Sequence, residues 1–465
     1  MTVPVNPASV EAPRARRLAI VEFTMSAGGV ERVLKGLAGG ILSIPEAAGW
    51  DVTLLLSRYS SAHRRVEWPA ELTGPRLRVE WLGEHNPVSR AIDPIAHAQG
   101  VLGIRATRVP GYLAGRLLRR LGPRPLRLAL GDPGTLISQA SERFDAMYLH
   151  YPFWMQPPPL RCPVLTTPTD FNFKHHLQEG SLRRRIHERA LSAWLERSNR
   201  LLVSSHAMND ELRRFYPQHA AKARVVHLGV ETQGPVPGAG ELAACRARLG
   251  LPERFVLVTG WVTPHKNTLV VIEALTELRR RGVHLPLVLV GPNAADVAPG
   301  VRPAFEAGYI DRIRDAMRTG ALVVGRDVLL PGYVSDEDVR RLFHLATVFV
   351  FPTLYEGFGL PSLEATLAGC PTVASSIPAL TEQDRILGGA YHLFDPSSPA
   401  GLADTLASIL GDEKGARDRA RAASARVAER YDWRSTARAY LANVTEALSD
   451  LLAAPGGSGT PGAPG

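Results

Sequence analysis

Two glutamates eight positions apart bracket a glycine-rich loop in Phe349-Val-Phe-Pro-Thr-Leu-Tyr-Glu356-Gly357-Phe358-Gly359-Leu360-Pro361-Ser362-Leu363-Glu364-Ala365. The apolar run ends at Pro352, so it reads as a strand that delivers the loop. Pro361 suits the first position of a helix, where its missing N–H costs nothing. Gly369 and Pro371 mark that helix's end, and Glu364 falls about one turn inside it. Gly357 and Gly359 let backbone N–H groups approach a ligand, and the helix start adds further N–H groups and the positive end of its dipole. That combination suits a pyrophosphate. Each carboxylate accepts hydroxyl hydrogen bonds, so a sugar on one side and a ribose on the other would satisfy both.

A second segment, Thr259-Gly-Trp261-Val-Thr-Pro-His265-Lys266-Asn267, opens another strand-to-helix turn. The chain has five lysines, so a lysine at such a turn stands out. Its expected task is to neutralise phosphate as a point charge. A third turn, Ser26-Ala-Gly28-Gly29-Val-Glu-Arg32, carries a diglycine that is either a tight turn or a phosphate or sugar contact. It has neither the Gly-x-Gly-x-x-Gly dinucleotide spacing nor a P-loop Gly-Lys-Ser/Thr. His150 closes a short apolar run, and its reading divides evenly between a structural imidazole and a catalytic group lining a cleft.

The elements that must position these residues read as alternating strands and helices. In the first half the expected strands are 18–23, 52–56, 77–82, 146–149, 164–166 and 201–204, with helices near 30–41 and 182–198. The pattern restarts after Gly229, with strands at 255–259, 287–290, 328–330, 347–351 and 372–374 and helices at 269–280, 336–345 and 361–368. Two parallel sheets, each covered on both faces, bind ligands at the carboxyl ends of their strands. The expected domains are a disordered lead-in over 1–17, a first Rossmann-like domain over 18–230 and a linker over 231–240. A second Rossmann-like domain spans 241–430, then a crossover helix 431–453 and a disordered tail 454–465.

Length and composition agree with two large α/β domains. The chain has 465 residues, 45% hydrophobic and 21% charged, which excludes a mostly disordered protein. Three scattered cysteines exclude a disulfide scaffold and a Cys₄ zinc site and suit a reducing, cytoplasmic setting. No stretch is apolar for long enough to span a membrane, and Met1–Arg17 lacks the pattern of a signal peptide. The net charge of +9 is uneven. Residues 1–230 carry 31 basic and 19 acidic residues, and the rest carry 23 and 26. The arginine-rich stretch 88–130 reads as a solvated insertion or as a surface for an anionic acceptor or membrane.

Taken together, these segments resemble the retaining glycosyltransferases of the GT-B fold, in the large family with the paired-glutamate motif (glycosyltransferase family 4, group 1 type). The resemblance covers about Arg17 to Leu452 and is most specific in the second half. It implies two Rossmann-like parallel-sheet domains facing across a cleft, with a C-terminal helix from Tyr431-Asp-Trp433 onward crossing back to the first. It also implies that Glu356 holds hydroxyls of the transferred sugar and Glu364 the ribose. Gly357, Phe358, Gly359 and Leu360 would line the donor through the backbone, and Lys266, beside Asn267, would bind the diphosphate. Tyr333 and Val334, after Gly332, match the stretch that reads the base. Gly28 and Gly29 match the glycine loop near the donor phosphates. Glu382 matches an acidic position of unclear role. Two positions depart from the family. Trp261 stands where an arginine is usual, so one charge is missing or comes from elsewhere, such as from Arg32 of the basic first domain. Thr169 stands for the histidine of a His-Asp pair, while Asp170 is kept.

The function implied is transfer of a hexose from a nucleotide diphosphate sugar, with retention, to a glycan, lipid-linked or small-molecule hydroxyl. The Pro-His265-Lys266-Asn267 segment leans towards GDP-mannose. Catalysis is expected to rest on Glu356, Lys266 and His150 without a metal or other cofactor, since no Asp-x-Asp ends a strand. The basic first domain points to an anionic acceptor or to attachment at the inner face of the membrane. The alternatives are an epimerase or hydrolase of nucleotide sugars on the same architecture, an arginine-rich nucleic-acid binder, and a nicotinamide enzyme. The second is disfavoured by the absence of a recognised module, and the third by the missing fingerprint.

Overall fold

A computed structural model describes residues 14–22, 29–56, 68–82, 133–150, 152, 155–231, 236–303 and 305–453. Gly28, the stretch 88–130, most of the expected lead-in, residues 232–235 of the expected linker, and the tail from 454 lie outside them. The backbone forms two compact units. One holds the chain up to Thr167, Arg189–Leu201 and the chain from Ala437. The other holds Pro168–Glu188 and Leu202–Thr436.

The first sheet has seven strands: β1 (Arg16–Glu22), β2 (Trp50–Leu56), β3 (Leu77–Trp81), β4 (Ala146–His150), β5 (Val164–Thr167), β6 (Arg200–Val203) and β7 (Ala223–Val225). Their order is β3-β2-β1-β4-β5-β6-β7, and the pairings from β3 through β6 are parallel. The second has six strands: β8 (Val256–Thr259), β9 (Leu287–Val290), β10 (Val328–Gly332), β11 (Val348–Phe351), β12 (Thr372–Ser375) and β13 (His392–Phe394). Their order is β10-β9-β8-β11-β12-β13, parallel throughout.

Near-continuous apolar runs form these strands because helices cover both faces of each sheet. Ile20, Leu54, Val164, Leu287, Val350 and Val373 are all buried. Both sheets reverse strand order once, beside the first strand of each half. In open parallel sheets that reversal splays two neighbouring loops apart and opens a crevice at the strands' carboxyl ends.

The last helix, Trp433–Ala453, closes on the first sheet. Tyr440 meets Tyr148 edge-on with ring centroids 5.0 Å apart, Arg438 pairs with Glu46 at 2.9 Å, and Asp450 pairs with Arg200. The three cysteines are buried as free thiols. Burial raises the pKa of Cys162 and of Cys370 to about 12, so both stay protonated. Among the described residues no helix is long and apolar enough to cross a membrane.

Candidate functional site

The reversal in the second sheet lies between β8 and β11, and the loops after these two strands carry Lys266 and Glu356. Ninety residues separate the two side chains in sequence, but the strands pair directly, Val256 beside Val348 and Leu257 beside Phe349. Past the strands, the His265 carbonyl accepts hydrogen bonds from Leu354 N (2.7 Å) and Thr353 Oγ1 (3.1 Å). The two loops are therefore laced together, and Lys266 Nζ reaches Glu356 Oε1 at 2.5 Å. The ammonium also lies 5.5 Å from the centroid of the Phe351 ring, close enough for a cation–π attraction. Lys266 and Glu356 keep only 26% and 15% of their side-chain surface exposed, so solvent screens this pair less than one on the open surface.

The glycine loop turns its carbonyls inward. Gly357 O accepts from Ser205 Oγ (2.8 Å) and Ser204 Oγ (3.2 Å), and Phe358 O accepts from Gln383 Nε2 (2.8 Å). The N–H groups of Gly357, Phe358, Gly359 and Leu360 have no acceptor among the described residues. They are followed by the helix Leu360–Leu367, whose N-cap Gly359 sits at φ 98°. A row of unengaged N–H groups running into a helix start is an anion cradle. The helix begins one residue earlier than expected, so Pro361 is its second residue. Phe358 offers the cradle only its backbone. Its side chain is 6% exposed and packs against the rings of His227 and Tyr431, at 6.2 and 5.7 Å.

A polar layer surrounds this pair. Tyr355 Oη donates to Glu211 Oε2 at 2.5 Å and accepts from Phe171 N at 2.8 Å, and His175 Nε2 lies 2.6 Å from Glu211 Oε1. Asp170 belongs to the same cluster, with Oδ1 accepting from Asn172 N at 2.9 Å. Burial raises the Asp170 pKa, and the nearby charge of Glu356 adds to that rise. Such an acid is penalised for ionising in the folded state. Its contribution to stability is therefore full below the unfolded carboxyl pKa and is lost as pH rises through the folded one. Asp170→Asn is thus expected to raise the melting temperature at neutral pH, with the gain vanishing as pH falls below about 4. A gain that persists at low pH would show that charge is not its cause.

The other expected residues lie as follows. Asn267, at φ 54°, precedes the helix Thr268–Arg280, and its Nδ2 donates to Pro396 O at 2.9 Å. Trp261 is 45% exposed, with its ring edge-on to Phe305 at 6.3 Å. Tyr333 is exposed, and Val334 follows it just after β10, which ends at Gly332 with φ 77°. Glu364 is half-buried in the helix that starts the cradle. Gly29 opens the helix Gly29–Leu42, which also contains Arg32.

His150 belongs to the first unit. Its Nδ1 lies 2.8 Å from Tyr148 Oη, which is also 2.7 Å from Thr167 Oγ1 and 3.3 Å from Tyr440 Oη. Burial lowers its pKa to about 4, so the ring is neutral within a packed polar knot under the last helix. Three residues that hold the loop were not expected from sequence: Gln383, Ser204 and Ser205. Glu382 also gains a role, since its carboxylate accepts from His206 N (3.0 Å) and Ala207 N (2.8 Å) and so caps the helix His206–Phe215.

Comparison with known proteins places this geometry in a family. Residues 246–426 match the model for glycosyl transferases group 1, and residues 27–233 match the model for glycosyltransferase family 4. Glycogen synthase of Mycobacterium tuberculosis is 32% identical over 269 residues, covering 57% of this chain and 58% of that protein. The chain thus spans a little over half the length of that relative. Among solved structures, sucrose-phosphate synthase from Thermosynechococcus elongatus superposes with a TM-score of 0.64 at 20% identity, covering 94% of this chain and 100% of that one. Anabaena HepE in complex with UDP and glucose gives 0.63 at 15% identity, covering 92% and 99%. Two parallel sheets with this strand order, the two family models and these neighbours lead to one assignment: the chain belongs to the group 1 glycosyltransferases of the GT-B fold.

Proposed function

We propose that the chain transfers a hexose from a nucleotide diphosphate sugar to a hydroxyl acceptor with retention of anomeric configuration. The observation that carries this reading is the Lys266–Glu356 pair set against a row of N–H groups without acceptors. In the reaction the bond from the anomeric carbon to the phosphate oxygen breaks, and a bond to the acceptor oxygen forms. The acceptor's proton passes to the departing diphosphate. Charge grows on that diphosphate, where Lys266 and the loop N–H groups stabilise it. Glu356 accepts hydroxyl hydrogen bonds from the sugar, and Glu364 from the ribose. HepE's complex with UDP and glucose, on the same fold, supports a nucleotide sugar as donor. The arginine excess of residues 1–230 favours a glycan or lipid-linked acceptor at an anionic surface.

A thermal-shift screen of GDP-mannose and of GDP, UDP and ADP glucose tests the donor, because a ligand held only by the native state raises its melting temperature. One nucleotide is expected to stand out, GDP first. The preferred donor should stay intact alone and be consumed when a soluble or lipid-linked glycan is added. Loss of donor without acceptor would replace transfer by hydrolysis. Equal rates with and without anionic vesicles would remove the membrane part of the proposal.

A further inference from the structure

A cluster of two histidines and one glutamate adjoins the glycine loop, with His227 packed on the Phe358 ring, but none of the three is assigned a role towards the donor. His206 opens the helix after β6, His227 follows β7, and Glu382 lies in the helix Pro378–Ile386. One ligand atom from each falls within 4.8 Å of the other two. His227 Nε2 and Glu382 Oε1 stand 3.2 Å apart. That is close to the edge of a tetrahedron with metal–ligand bonds of 2.0–2.1 Å, about 3.3 Å. We propose that His206, His227 and Glu382 form a site for a divalent transition-metal ion, with zinc the best match.

The surroundings are those of a prepared site. The Glu382 carboxylate is oriented by the N–H groups of His206 and Ala207, the outer bonds that fix a ligating carboxylate. The His227 ring is held between Phe358 and Tyr431, at 6.2 and 5.8 Å. The Tyr431 hydroxyl is buried and has no hydrogen-bond partner. A metal-bound water at the open fourth position would give that hydroxyl a partner. His206 is exposed, so its ring can turn in as the third ligand and the ion can enter from solvent. Two imidazoles and one carboxylate suit zinc or cobalt and disfavour calcium and magnesium, which need all-oxygen sites. The helix start at His206 carries about half a positive charge. This opposes a cation and holds the affinity below that of a closed four-ligand site.

The test uses the full chain without an affinity tag, stripped of metal by a chelator. Calorimetric titration with zinc chloride is expected to show one equivalent bound with a Kd tighter than about 10 µM, and zinc should raise the melting temperature. Cobalt should give the visible absorption of a tetrahedral complex. His206→Ala, at an exposed position, should keep the metal-free melting temperature. It should weaken zinc binding by about 100-fold or more, at least as much as losing an outer-shell partner does. His227→Gln should do the same. Absence of saturable binding overturns the proposal, as does binding of parental strength in both variants.

Discussion

Lys266→Ala is expected to lower the transfer rate constant by about 10²- to 10³-fold, the loss typical of removing one preorganised group that stabilises developing anionic charge. The lysine is engaged by Glu356 at 2.5 Å. An entering diphosphate must therefore share or take over the ammonium, and this frees Glu356 to turn to the sugar's hydroxyls. The variant loses both functions. It also leaves a carboxylate that is 15% exposed without its cation, next to Asp170, which already resists ionisation. A modest fall in melting temperature should therefore accompany the loss of activity. Steady-state kinetics with saturating donor and acceptor separate the outcomes. A kcat within a few-fold of the parent's would remove Lys266 from the chemistry and the proposed site with it.

The parts of this site legible in the sequence are those written locally. The loop 356–364 is contiguous, and its glycines, proline and two carboxylates state their purpose within nine residues. The strands were legible because burial on both faces leaves runs such as Leu287–Val290 with no polar interruption. The meeting of Lys266 with Glu356 is of another kind, since it depends on β8 pairing with β11 across 90 residues. No local pattern states that contact, although both turns follow strands and so face the same end of the sheet.

Phe358 marks the limit of reading side chains one at a time. The sequence assigns it only a backbone contact with the donor, and no local pattern states that its ring anchors the loop against His227 and Tyr431. His150 marks the same limit. Its partner Tyr148 lies two residues away on β4, but Thr167 and Tyr440 come from other segments, so the sequence alone left the structural and catalytic readings of this imidazole evenly balanced. Gln383 and the serine pair 204–205 went unread because hydroxyls and amides are common. They acquire meaning only where the fold aims them at the loop's carbonyls.

Those carbonyl contacts underlie the other large effect, at Gly357. A Cβ placed there would stand 1.9 Å from the Thr169 carbonyl oxygen and 3.4 Å from Met208 Sδ. The first partner is backbone and cannot swing aside, so either the loop or the 169–170 segment must move. Gly357→Ala is therefore expected to destabilise the second unit by about 3 kcal/mol or more, the upper range for overpacking. For a unit of this size that is a fall of about 6–12 °C in its melting transition. Displacing the loop also pulls Gly357 O from Ser204 and Ser205 and shifts Glu356 relative to Lys266, so transfer should fall even at temperatures where the protein stays folded. Gly240→Ala is the matched control. Its Cβ would meet nothing within 4 Å, in the helix Ala239–Leu249, so alanine there should be neutral or slightly stabilising. Differential scanning calorimetry of the three proteins, with activity measured about 15 °C below the lowest transition, decides the matter. A Gly357→Ala protein that melts with the parent and turns over normally would show that the loop does not pack tightly against the Thr169 carbonyl.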